Sequence, residues 1–126
     1  MDFEPLFSKD APQPIGPYSQ AIIVGDFIFL SGQIALDPQT GAMMGSTVEE
    51  QTRGIFKNIR AVLSARSLSI ASVVKTTVFL TDMGSFSTFN KVYEEELSGW
   101  KPARSVVEVS ALPKNALVEI EAVACR

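Results

Sequence analysis

Two short stretches carry the side chains that can do chemistry. Lys101-Pro102-Ala103-Arg104-Ser105-Val106-Val107-Glu108-Val109 reads as a strand entered through a proline, which cannot donate to a ladder and belongs at a strand start or edge. Leu117-Val118-Glu119-Ile120-Glu121-Ala122-Val123 reads as another. Side chains alternate along a strand. Ser105, Val107 and Val109 therefore share a face suited to a core, and Arg104, Val106 and Glu108 share the other. In the second stretch Val118, Ile120 and Ala122 oppose Leu117, Glu119, Glu121 and Val123. Arg104, Glu119 and Glu121 thus lie on surfaces that are neither cleanly core nor cleanly solvent, and this half-polar surface is the candidate site. A guanidinium is a planar fork matched to a carboxylate. A carboxylate takes a proton from water near neutral pH once its surroundings raise its pKa.

What the chain lacks narrows the chemistry further. It has no histidine, which excludes Ser-His and Cys-His catalysis. With one cysteine, Cys125, and no histidine, a structural zinc site is not expected. Any acid or base is a carboxylate, Tyr, Lys, water or backbone. The lone cysteine forms no intrachain disulfide, so a reducing, cytoplasmic setting is expected. The acidic start Met1-Asp2-Phe3-Glu4 lacks the layout of a signal peptide, and no apolar run approaches membrane-spanning length. Net charge is -3 with no basic cluster, which weighs against a nucleic-acid partner.

The elements that must position these residues can be read in order. At 126 residues, 46% hydrophobic and 20% charged, the chain is expected to be a single domain over residues 1–126, without repeat or linker. Pro5-Leu6-Phe7 suggests a short edge strand. Ala11 to Gln20, with Pro12, Pro14, Gly16 and Pro17, is an ordered turn that delivers Tyr18 to the start of a strand. Tyr18 is either a buried aromatic with a bonded hydroxyl or a ligand-facing one. Ala21–Val24 and Phe27–Leu30 flank Gly25-Asp26, a hairpin signal of type II′. Ser31-Gly32-Gln33 follows, where glycine permits a close backbone approach or marks a bulge.

A helix opens at Ser46 or Thr47, each followed three residues later by glutamate in a capping box. Val48, Thr52, Ile55, Phe56, Ile59, Val62 and Leu63 recur at helical spacing, and Gly54 allows close packing on the sheet. Arg53, Lys57, Arg60 and Arg66 form a solvated face. Val73–Leu80 is a β-branched strand. A second helix spans about 83–97, capped by Asp82 or Ser85, with Phe86, Phe89, Tyr93 and Leu97 as its stripe and Ser98-Gly99 as its end. Asn90 lies near that stripe, a position more often filled by a satisfied core amide than by a site residue. The order β-β-β-α-β-α-β-β gives an α+β fold with two helices on one sheet face. The other face, with Val106, Leu117 and Val123, would be an exposed apolar patch in a monomer, so a homo-oligomer is expected. If the last two strands pair around Leu112-Pro113-Lys114-Asn115, Arg104 falls across from Glu121 and Val106 across from Glu119. An ion pair, within the chain or between subunits, is then the simpler reading of Arg104.

Several motifs change that balance: Ile15-Gly16-Pro17-Tyr18, Ser31-Gly32-Gln33-Ile34, Lys75-Thr76-Thr77-Val78-Phe79, Asn90 with Tyr93, Pro102-Ala103-Arg104-Ser105, and Leu112-Pro113 leading to Val118-Glu119-Ile120-Glu121. In this order, over nearly the whole chain, they resemble the RidA (YjgF) family. The resemblance implies a chorismate-mutase-like fold with a mixed six-stranded sheet, assembled as a homotrimer with clefts between subunits. It implies hydrolytic deamination of reactive 2-enamino and 2-imino acids, such as 2-aminoacrylate and 2-iminobutanoate, to 2-keto acids and ammonia, with no cofactor and no metal. By motif position Arg104 holds the substrate carboxylate, and Glu119 with the backbone carbonyl of Val106 holds the attacking water. Tyr18, Ser31, Gly32 and Asn90 line the cleft. Val106 stands where the family archetypes often have cysteine, and the stretch from Tyr93 to Lys101 is somewhat shorter than theirs. Two other classes stay open: an endoribonuclease or translation inhibitor, and a non-catalytic trimer that binds small carboxylates. Glu119 separates the last from an enzyme, because a pure binder needs no water-activating carboxylate.

Overall fold

The computed structural model describes residues 2–126. Its elements are β1 (Phe3–Leu6), β2 (Ala21–Val24), β3 (Phe27–Gln33), α1 (Val48–Ser64), β4 (Val73–Leu80), α2 (Phe86–Leu97), β5 (Ala103–Glu108) and β6 (Val118–Cys125), the order expected from the sequence. The strands form one six-stranded sheet, β1-β2-β3-β6-β4-β5. Every neighbouring pair is antiparallel except β4 and β5. Both helices lie on one face, so the α+β, chorismate-mutase-like architecture holds. No helix among the described residues is long and apolar enough to cross a membrane.

Local chemistry explains most boundaries. Gly25 has φ +59° while Asp26 does not enter positive φ, as a type II′ hairpin between β2 and β3 requires. Thr47 caps α1: its hydroxyl accepts from Glu50 N at 3.1 Å, and the Glu50 carboxylate accepts from Thr47 N at 3.3 Å. Asp82 caps a short 3-10 turn, Met83–Ser85, accepting from Gly84 N at 2.8 Å, and α2 then begins at Phe86. Ser98 and Gly99 end α2 in positive φ. The core lies between the sheet and the helices. Ile28, Val78, Leu80, Val118 and Ile120 meet Ile55, Phe56, Ile59, Val62, Leu63 and Phe89, and all are fully buried. Arg53 is exposed and Arg60 half-buried, and both are tied to α2: Arg53 pairs with Glu95 at 2.6 Å and Glu96 at 3.0 Å, Arg60 with Glu96 at 2.7 Å.

The pairing of the last strands corrects the expectation. β5 and β6 are not a hairpin. β5 lies at the sheet edge, parallel to β4, because α2 provides the crossover that a parallel pair needs. β6 inserts between β3 and β4. Its inner side chains Val118, Ile120, Ala122 and Ala124 are all buried, and only a central position covers them. Thr77 therefore separates Ser105 from Glu121, and Phe79 separates Val107 from Glu119.

The faces of β5 are also reversed from the reading above. Arg104 pairs in register with buried Thr76, and Val106 with buried Val78, so both face the helices. Ser105 and Val107 face the open side. Val106 packs on the core instead of lining the uncovered face. That open face carries Phe27, Phe29 and Val107, each more than 40% exposed, with Phe79 and Val123 half-buried among them.

Gly54 packs closely, though against the segment after β3 and not the sheet. A Cβ there would lie 2.9 Å from the Ala35 Cβ and 3.1 Å from the Met44 Cε. Helix propensity favours Gly54→Ala by about 1 kcal/mol. Overpacking opposes it by about 1–3 kcal/mol. The clash should win, lowering the denaturation midpoint; a raised midpoint would show that the Ala35–Met44 segment yields freely.

Candidate active site

The end of β3 builds the first half of the site. The β3–β6 register shifts between Leu30 and Gln33, leaving Ser31 and Gly32 in a bulge opposite β6. Gly32 lies directly against the Glu119 side chain, and any Cβ there would collide with the carboxylate. The bulge and the close approach are thus the same feature. Ser31 fastens the preceding turn: its N–H donates to Gln20 O at 3.0 Å and its hydroxyl to Ser19 O at 2.6 Å. Tyr18 rides on that turn ahead of β2 and is 49% exposed, which removes the buried-core reading. Tyr18, Ser31, Gly32 and Glu119 share a cavity of about 350 Å³, whose other walls are Ile15, Ile34, Leu36 and Pro113.

Glu119 is half-buried and forms no ion pair among the described residues. Burial pushes its pKa above the usual carboxylate range, and the neighbouring Glu121 charge adds to the shift. A carboxylate in this state accepts a proton from water more readily than an exposed one.

The second half lies on the opposite face of the sheet. Arg104 projects from the start of β5 towards α2. Its guanidinium carbon sits 4.8 Å from the Tyr93 ring centroid and 5.6 Å from that of Phe86. Its Nη1 donates to Asn90 Oδ1 at 2.6 Å. Asn90 is therefore satisfied by the arginine and not by the core. Tyr93 is itself fixed by a 2.7 Å hydrogen bond between its hydroxyl and Thr76 Oγ1. Burial raises the Tyr93 pKa, so beside Arg104 it is a neutral ring. Asn90, Tyr93 and Arg104 border a cavity of about 300 Å³, closed by Leu97, Trp100 and Pro102. Trp100 is held there by its indole N–H, which donates to Val73 O at 2.6 Å.

Arg104 takes part in no ion pair among the described residues, and β4 stands between it and Glu121. The intrachain ion-pair reading is thus excluded. The fold brings Tyr18, Ser31, Gly32 and Glu119 together, and brings Arg104 and Asn90 together, with Val106 two residues along β5 on the Arg104 face. It does not join the two groups within one chain. The aromatic cage of Phe86 and Tyr93 was read from sequence only as a core stripe. Its signal was present in the spacing, since residues 86, 90 and 93 share one helix face. Ile34, Leu36 and Pro113 carried no local signal of lining a cavity.

Comparison with known proteins places the chain. The family model described as endoribonuclease L-PSP matches residues 8–126. A RutC family protein of Pyrococcus horikoshii is 50% identical over 121 residues, covering 96% of both chains. Reactive Intermediate Deaminase A, chloroplastic, of Arabidopsis thaliana is 43% identical over 96% of this chain and 65% of its own length. Among solved structures, YyfA of Yersinia pestis, described as a member of the conserved Rid protein family, superposes with a TM-score of 0.95 at 45% identity, covering 99% of this chain and 100% of its own. With a family model spanning nearly the whole chain and a full-length relative at half identity, the chain belongs to the RidA (YjgF) family.

Proposed function

We propose that this protein hydrolyses reactive 2-imino acids, and the 2-enamino acids that tautomerise to them, to 2-keto acids and ammonia. In this reading it is a 2-iminobutanoate/2-iminopropanoate deaminase of the cytoplasm that also takes 2-aminoacrylate. The observation that carries the proposal is a pair of uncompensated charges. Among the described residues Glu119 lies half-buried with no ion-pairing cation, and Arg104 is caged with no ion-pairing carboxylate, although Glu94 borders the same cavity. The 43% identical deaminase of Arabidopsis supports the reaction class.

The two halves meet when a second copy covers the open sheet face. The exposed Phe27, Phe29 and Val107 support such burial, and a closed homotrimer repeats one interface three times. Each site then combines Arg104, Asn90 and the Val106 carbonyl of one protomer with Tyr18, Gly32 and Glu119 of the next. Arg104 keeps donors free after its bond to Asn90, and these take the substrate carboxylate. Water held by Glu119 and the Val106 carbonyl adds to the imine carbon while Glu119 takes its proton. The same proton passes to the amine of the resulting carbinolamine. Glu119 then takes the carbinolamine hydroxyl proton and delivers it to the departing nitrogen, so the keto C=O forms, the C–N bond breaks and ammonia leaves. Water supplies the oxygen, and no electron transfer is involved.

Nothing in the site favours a ribonuclease. The cavities suit small molecules, and net charge is -3. A binder that does not catalyse is separated by Glu119→Gln. In an assay generating 2-iminobutanoate from threonine with a dehydratase, Glu119→Gln should lower kcat far more than it weakens 2-ketobutyrate binding. Arg104→Ala should lose about 2–3 kcal/mol of transition-state stabilisation, on the order of a hundredfold in kcat/KM. Arg104→Lys, which keeps charge but loses the fork, should be badly impaired too. Wild-type rates in these variants would defeat the assignment.

The raised Glu119 pKa fixes two signs. Activity should fall as pH drops through that value, which lies above the ordinary carboxylate range. A carboxylate whose folded pKa is raised contributes stability that is full below its unfolded value and lost as pH rises through the folded value. Glu119→Gln should therefore raise the thermal midpoint at neutral pH while abolishing turnover; a lowered midpoint would mean the carboxylate is stabilised by a partner.

Assembly is tested by mass and by mixing. Light scattering at micromolar concentration should give a trimer. Co-expressed Arg104→Ala and Glu119→Gln chains should recover up to about a quarter of wild-type activity, the chance that a random interface offers both intact groups. No recovery in mixed trimers would place both groups in one protomer. Activity should also survive exhaustive chelation, and Cys125→Ser should retain it; loss to chelator with recovery on a divalent metal would overturn the metal-free reading.

A further inference from the structure

Two buried polar side chains on α1 have no part in the reaction as written. Gln51 is 3% exposed and Asn58 is 0% exposed. They are two helical turns apart, so they share a face, with Gly54 between them. Gln51 Oε1 accepts from Leu117 N at 2.9 Å, two residues before Glu119, and its Nε2 donates to Gly45 O at 3.2 Å. Asn58 Nδ2 donates to Leu36 O at 3.0 Å and Ile34 O at 3.4 Å. Ile34 and Leu36 are walls of the cavity that holds Glu119.

Beyond the end of β3 at Gln33 the wall segment pairs only through a single antiparallel bridge, Leu36 with Met43. It folds back on itself, Leu36 N donating to Ile34 O at 2.8 Å, and Ala35 O accepts from Met44 N at 2.6 Å. The Ala35 methyl then fits over Gly54. One face of α1 thus grips both the segment leading to Glu119 and the wall that faces it. Among the described residues Asn58 Oδ1 has no partner. Flipping the amide would aim that oxygen at two carbonyls, so its orientation is fixed by the donors. An unpaired buried acceptor is destabilising, so what the amide contributes is its two donated bonds to the wall carbonyls, which an apolar side chain of the same shape would leave without that donor.

We infer that Gln51 and Asn58 are positioning residues that set the gap between the Ile34–Leu36 wall and Glu119, and thereby select the side-chain length of the 2-imino acid. The inference rests on the deaminase reading. There, Arg104 and Glu119 take the carboxylate and imine ends of the substrate, so its variable side chain is left to the apolar walls Ile15, Ile34, Leu36 and Pro113. The class selected is 2-imino acids with apolar side chains.

The test compares kcat/KM across a series of 2-imino acids generated by an amino-acid oxidase from alanine, 2-aminobutyrate, norvaline and leucine. Dissociation constants of the matching 2-oxo acids are measured by calorimetry. Asn58→Leu keeps the branched shape but removes both donated bonds, and Gln51→Met removes the acceptor that holds Leu117 N and the donor that holds Gly45 O. Each should shift the long-to-short ratio of kcat/KM by roughly tenfold, the scale of one methylene in an apolar pocket. The change should sit in KM, with kcat on the shortest substrate held within about threefold. Ile34→Ala, which trims the wall directly, should shift the same ratio. A uniform loss along the series, or an unchanged ratio in folded oligomers, overturns the clamp. Should the α1 variants fail to fold, an unchanged ratio in Ile34→Ala overturns it equally, and a shifted one upholds the wall it acts through. A wild type inert on every imine defeats the deaminase reading instead. The clamp then stands or falls on the same ratio among the 2-oxo acid dissociation constants.

Discussion

β6 has to be central, and most of the molecule follows from that. Its inward side chains Val118, Ile120, Ala122 and Ala124 alternate without a polar break and are all buried. A strand of this kind needs a covered face and two hydrogen-bonded neighbours, which β3 and β4 provide. Once it is there, alternation puts Glu119 and Glu121 on the outward face. The same insertion leaves β5 only the free edge of β4, reached by a crossover through α2. Register then fixes Arg104 beside Thr76, under the helix. The separation of the two charges onto opposite faces is therefore a result of topology, not of local sequence.

Each charge is held in a way that keeps it available. Replacing Phe86 and Tyr93 by a carboxylate would satisfy Arg104 more strongly, but would occupy its fork. A cation–π contact contributes about 0.5–2 kcal/mol, depending on desolvation, and acts on the face of the guanidinium. Its N–H edge stays free apart from the bond to Asn90. Glu119 is treated in the complementary way. Gly32 lets the backbone come against its carboxylate without a cation, so burial raises its pKa instead of a partner lowering it.

Much of this architecture was legible in the residues. The Thr47–Glu50 capping box, the β-branched run Val73–Leu80, the Gly25-Asp26 hairpin and the helical stripe from Val48 to Leu63 depend on contacts close in sequence, and each formed where its pattern placed it. The pairing of the last strands was not legible. Two strands joined by nine residues containing a proline turn look like a hairpin. Nothing local reveals that β4, some forty residues before β6, competes for the same edge. The reversed faces of β5 have a similar cause. Val107 is as apolar as Val106, so alternation alone cannot say which is buried.

The site shows the same division between local and distant causes. Gly32 announced a close approach by lacking a side chain, yet only the fold identifies Glu119 as the group that approaches. Gln51 and Asn58 fall on the apolar side of α1, a conflict between residue type and position that a count of apolar residues at helical spacing passes over. Such conflicts are informative because burial of an amide is unfavourable unless it is bonded. Gln51 satisfies both ends of its amide, and Asn58 only its donor end. The helix that looks like pure core is thus the element that ties the end of β3 to the start of β6. The geometry around Glu119 consequently depends on residues that never touch it.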